Sequence, residues 1–165
     1  TGSHLAARGH RHKYRIRTDR EDLMTPTHST RVLLASPVLV AFIDRSHPNH
    51  GQAVAFIRYF SEERFEVLLT FPSLVTVYQS LEEHIGLSIA HKWLKSIFVG
   101  TIRIIYPDEQ TVKTAVKLML TTTSYNITID QAIMNVVADR LHIPSIATFE
   151  FFPFFYGIKP FTLPL

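Results

Sequence analysis

Residues 127–150, ITIDQAIMNVVADRLHIPSIATFE, decide how the chain is read. Ile129, Ile133, Val136, Val137 and Leu141 recur at helical spacing, which predicts a helix over 129–141 with one apolar face. Pro144 ends that helix, because the residue before a proline is pushed out of the helical region. Ser145 to Phe149 (SIATF) then reads as a short strand. A helix running straight into a β-branched, apolar strand is half of a β–α–β unit.

Working outward, the same alternation recurs. Val32-Leu33-Leu34 is a buried-strand run, and Ser36-Pro37 follows it with a candidate cap and a first-turn proline. Residues 49–62 read as an amphipathic helix on Ala53, Phe56, Ile57 and Phe60, after a polar loop with Asn49 as a cap candidate. Glu66 to Thr70 reads as a second strand, and residues 72–85 as a helix that Gly86 stops. Residues 87–98 form another helix, Thr101 to Tyr106 a third strand, and residues 108–120 a further helix. Strands alternating with helices predict an α/β fold: a central, mainly parallel four-stranded sheet flanked by helices. In such sheets ligands sit beyond the carboxyl ends of the strands. Here those ends carry Ala35/Ser36, Thr70, Tyr106/Pro107 and Phe149/Glu150.

Composition narrows the classes. The chain has 165 residues, 46% hydrophobic and 19% charged, enough apolar surface for one packed domain. It has no cysteine, which excludes a disulfide scaffold, a thiolate metal site and a cysteine nucleophile. No apolar run is long enough to span a membrane and no export signal is visible, so the expected compartment is the cytoplasm, with no membrane partner. Residues 1–30 mix Gly, His, Arg and Thr without apolar periodicity and read as a disordered basic arm. Gly2-Ser3-His4 looks like the scar of a cleaved purification tag. The arm carries Arg8, Arg11, Lys13, Arg15, Arg17 and Arg20 against Asp19, Glu21 and Asp22, so the whole net charge of +3 lies there. Residues 31–165, the expected domain, are neutral, which gives no electrostatic case for a large nucleic-acid footprint.

Three strings resemble the PIN-domain family. Val32 to Ala41 followed by Asp44 to Ala53 resembles the family's opening strand, acid and helix. Leu69 to Val77 resembles the segment that ends in a glutamate. The most specific is Ile127 to Ala132, then Ala138-Asp139-Arg140-Leu141-His142-Ile143-Pro144, then Ala147 to Glu150. The resemblance covers roughly residues 31–155 and implies a PIN-like domain. It also implies a metal-dependent ribonuclease of the toxin–antitoxin kind, often dimeric. In that family three or four carboxylates hold Mg²⁺ or Mn²⁺, which lowers the pKa of a bound water and neutralises phosphate charge. RNA, an antitoxin and a second copy of the chain are the implied partners.

This chain departs from that pattern at the acids. The first acid position falls on Ala35 and the second on Val77; Asp130 keeps the third, and Glu150 stands at the fourth. Asp130 and Glu150 are the candidate catalytic and metal-binding remnants, so the expectation is a weak or absent metal site and impaired catalysis. A ribonuclease working with these two acids is the alternative, and a non-enzymatic dimeric interaction protein is another. Ser36 is a candidate donor to a phosphate, or a plain helix cap. His47 and His50 have metal-ligand spacing, but the structural reading is preferred because the family carries a histidine there without using it as a ligand. Near the C-terminus, Phe151, Phe152, Phe154 and Phe155 read as an aromatic interface, against the alternative that the segment folds back and seals the sheet.

Overall fold

Strand β1 (Arg31–Leu34) decides the architecture, because it is buried on both faces. The computed structural model describes residues 30–149 and 151–164; the expected arm lies outside them apart from Thr30, and so does Glu150. Around β1 the sheet is completed by β2 (Glu66–Thr70), β3 (Arg103–Ile105), β4 (Ser145–Ala147) and β5 (Lys159–Pro160). The strand order is β3-β2-β1-β4-β5 and every pairing is parallel. Leu33 lies opposite Leu68 on one side and Ile146 on the other.

Side chains alternate across β1, so its residues feed two layers. Val32 and Leu34 face a core shared with α1 (Ser36–Ile43), α2 (His50–Glu62), α3 (Phe71–His84) and α4 (Leu87–Val99). Leu33 and Ala35 face the other way, onto Met134 and Ala138 of α6 (Ile129–Arg140). The same helix packs on α5 (Glu109–Thr121) through Ile133, Val136 and Val137 against Ala115. The capping chemistry is local. Thr70 caps α3, Asp108 caps α5, and Thr128 with Gln131 closes a full capping box on α6. Gly86, between α3 and α4, takes φ of +128° and donates its N–H to Leu81 O at 2.9 Å, so a chain reversal sits where a side chain would be strained.

Two sequence expectations change. The sheet has five strands, not four. β5 is two residues long and holds a proline, so it carries no alternation to read. It pairs nonetheless, because Lys159 and Phe161 donate to Pro144 O and Ile146 O at 3.1 and 2.9 Å, while Pro160 between them needs no N–H. A proline on this outer strand also discourages pairing with another chain. Ser36 does not cap α1; Ala35 occupies the cap position and Ser36 is already helical.

The aromatic C-terminal segment largely folds back. Phe152 is buried beneath α6, and Phe154 and Phe155 pack on the same helix layer; of the four phenylalanines read as an interface, Phe151 stays exposed. The reason is Asn135, fully buried on α6. Its amide donates to Gln131 O and Pro153 O, both at 2.9 Å, and its carbonyl accepts from Phe155 N at 2.8 Å. Further along, Phe161 lies among Phe56, Tyr59, Phe60 and Phe65, with ring centroids 4.7 to 5.9 Å away.

Asn135→Leu keeps the volume but leaves Pro153 O and Phe155 N–H without their partner, at about 1–3 kcal/mol for each unpaired group. The expected result in urea denaturation is a loss of about 3 kcal/mol, with new protease cleavage after residue 150. A loss below about 1 kcal/mol would mean that the phenylalanines alone hold the segment.

Candidate functional site

The strand order reverses direction at β1, which has β2 on one side and β4 on the other. Loops leaving the carboxyl ends of β1 and β4 diverge there and open a crevice, the usual ligand position in a parallel α/β sheet. Ala35 follows β1 and Thr148 follows β4; with Ser36, Thr76, Asp130 and Phe152 they line a cavity of about 280 Å³.

Asp130 is the second residue of α6, brought to the crevice by the Thr128 cap. Ser73 Oγ donates to its carboxylate, at 2.9 Å from Oδ1 and 3.2 Å from Oδ2. Thr70 Oγ1 donates to Ser73 Oγ at 3.0 Å and accepts from Ser73 N at 3.3 Å. Thr70 and Ser73 are fully buried. The relay therefore ties the end of β2 to the start of α6 across the crevice. Burial raises the Asp130 pKa above its ordinary value, and the Ser73 hydrogen bond opposes that rise without cancelling it.

The sequence-predicted residues divide as follows. Asp130, Ser36 and Ala35 meet at this cavity. Glu150 lies outside the described residues. Val77 does not meet them: it is fully buried in the apolar core beside Leu74 and Leu81. Helix α3 starts immediately after Thr70, so its first turn faces the crevice, and Val77 lies about 6 Å further along the axis than Ser73. The α3 side chain that touches Asp130 is thus Ser73, which sequence reasoning missed; Thr76, Thr128 and Thr148 were missed with it. The one available signal was the cap spacing Thr70-x-x-Ser73, which places a hydroxyl on the first turn.

His47 and His50 serve the local backbone. His50 Nδ1 lies 2.8 Å from Ala41 O, and His47 Nδ1 accepts from Asn49 N at 3.0 Å. Among the described residues no group of three His, Asp or Glu side chains is placed to hold a metal ion. Asp139, nine residues beyond Asp130 on α6, lines a different cavity with His142, Tyr156 and Lys159. No helix among the described residues is long and apolar enough to cross a membrane.

No protein-family model and no curated protein matches the chain. Among solved structures it is similar to Mycobacterium tuberculosis VapC20, a toxin that cleaves the sarcin–ricin loop. The TM-score is 0.63 at 13% identity, over 70% of this chain and 86% of that one. At that identity the likeness shows the fold: an α/β domain of PIN-like architecture, its parallel sheet flanked by helices.

The raised pKa of Asp130 fixes a sign. The folded state holds that proton more tightly than the unfolded chain, so this group lowers stability as pH rises from about 3.9 to its folded value, and the loss persists above it. Asp130→Asn keeps an acceptor for Ser73 and removes the charge. Its melting temperature should exceed the parent's at pH 7, and the gain should shrink to nothing at acid pH. A lower melting temperature at pH 7 would mean that the carboxylate is net stabilising in place.

Proposed function

We propose that the protein is a PIN-like relative of metal-dependent ribonuclease toxins whose catalysis is impaired or lost, and which works by binding RNA or a protein partner. The observation that carries this reading is the composition of the crevice. Where the sheet would present converging acids, Ala35 closes β1, and the described side chains supply one carboxylate, already engaged by a serine hydroxyl.

The metal question follows from the donor set. Hard divalent ions take oxygen ligands, and Mg²⁺ keeps several waters while using one or two carboxylates. The described residues bring Asp130 alone, partly buried, with both oxygens facing Ser73 Oγ. That set does not fit a resident catalytic ion, and no step is assigned through one. Glu150 is the further acid that the sequence puts after β4. The fold likeness to a toxin that cleaves the sarcin–ricin loop supports RNA as the ligand class to test first. An antitoxin-like partner and a dimeric state belong to the same reading and rest on the family resemblance.

The test is cleavage of a mixed RNA pool with Mn²⁺ and with Mg²⁺, using the parent, Asp130→Ala, Ala35→Asp, and Ala35→Asp with Ser73→Glu. Ser73 replaces Val77 as the position to restore, because a glutamate at 77 would enter the apolar core. The expected result is no cleavage by the parent above the metal-free blank, and chelator-sensitive cleavage by the double variant once its melting curve shows a folded chain. Parent cleavage that Asp130→Ala abolishes would make the protein a working ribonuclease on a reduced site, and would overturn this reading.

A further inference from the structure

Four large aromatic side chains stand exposed along the edge that carries the Asp130 crevice, and they stand as two pairs. Phe71, the first residue of α3, and Tyr106, directly after β3, stack with ring centroids 5.5 Å apart and 29° between planes; they are 41% and 63% exposed. Tyr125, in the loop before α6, and Phe151, beyond β4, lie 6.2 Å apart and are 50% and 71% exposed. Scattered exposed rings are ordinary on a protein surface. Two contacting pairs on either side of one crevice that holds hydroxyls and a carboxylate are a patterned surface. Phe71 and Tyr106 mark the ends of β2 and β3, and Phe151 follows β4, with the crevice between β1 and β4 in the middle. At about 4.8 Å per strand, β3 to β4 spans about 14 Å, room for a short run of nucleotides.

Charge and hydrogen bonding select the occupant. Residues 31–165 hold eleven basic and eleven acidic side chains, so there is no excess of cations to favour phosphate contacts there. Aromatic faces can supply affinity instead, because every base has a π-face to stack. A partner protein laid flat across this edge with an apolar face would bury the Ser36 hydroxyl and the remaining acceptor capacity of the Asp130 carboxylate, which Ser73 only partly fills, against groups that cannot satisfy them. Splayed bases and ribose hydroxyls carry donors and acceptors to meet those groups, whereas a duplex keeps its base faces stacked inside.

We propose that this edge is a stacking platform for single-stranded RNA, with Phe71–Tyr106 and Tyr125–Phe151 holding bases on either side of the crevice and its hydroxyls and Asp130 contacting the nucleotide between them. The proposal rests on the RNA-contact reading above and deepens it. It makes the four rings, and not a basic groove, the source of affinity, so binding depends only shallowly on salt.

The test is fluorescence anisotropy with the full chain and a labelled mixed-sequence RNA of about ten nucleotides, single-stranded and as a duplex. Tyr106→Ala and Phe151→Ala should each weaken single-strand binding about tenfold, Tyr106→Phe should not, and the duplex should bind about tenfold more weakly or worse. Raising salt from about 50 to about 200 mM should cost under about threefold, against orders of magnitude for a protein making many phosphate contacts. The substituted rings are exposed, and melting curves followed by the fluorescence of buried Trp93 check that the variants fold. Parent binding that the alanine variants leave unchanged, or that collapses with salt, would overturn the platform while leaving RNA contact intact. No RNA binding by the parent would overturn both. So would a change of oligomeric mass in the variants without RNA binding, which would assign the edge to protein contact.

Discussion

Everything in this fold depends on β1 being dry on both faces. Val32, Leu33 and Leu34 have no measurable exposure, and fully burying each such side chain is worth about 1.5–3 kcal/mol. A strand with two buried faces demands a helical layer on each side and a paired strand at each edge. Those demands are met by different parts of the chain: α1 to α4 and β2 from the stretch before β3, α6 and β4 from the stretch after it. The divergence of the two stretches at the end of β1 creates the crevice. The site is therefore a consequence of sheet topology before any side chain is considered.

Within that crevice the chemistry is sparse. An acidic cluster would need either cations or protonation to coexist in so confined a space. Here Ala35 carries no charge, Ser73 offers a hydroxyl, and Asp130 is partly desolvated. The Thr70–Ser73–Asp130 relay satisfies two fully buried hydroxyls and braces α6 against β2. Asp130 thus has a structural task that needs no metal.

The C-terminal segment shows one polar residue organising many apolar ones. Asn135 makes three hydrogen bonds to backbone groups inside an otherwise apolar helix face, so the chain after β4 has a single register against α6. With that register set, Phe152 and Ile158 enter one core and Phe161 the other, and β5 closes the sheet. The same geometry turns Phe151 outward, beside Tyr125.

The sequence by itself determined the alternation of four strands and six helices, the parallel α/β class, and the place of Asp130 at the start of a helix. These follow from local signals: the 3.6-residue period, β-branched runs, caps and proline stops. It could not announce β5, whose two residues hold no period and exist as a strand because β4 offers carbonyls to Lys159 and Phe161. Nor could it separate Ser73 from Val77, because both lie on one face of α3 at i and i+4, and the depth of each along the axis is set by where the helix meets the sheet. For Phe152, Phe154 and Phe155 the sequence left an interface and a segment folded back on the sheet both open, and the choice depends on Asn135, some twenty residues away in the chain. Long-range contacts decided which hydroxyl meets Asp130 and which aromatic rings face water, because side-chain burial is a property of packed layers and not of any local stretch.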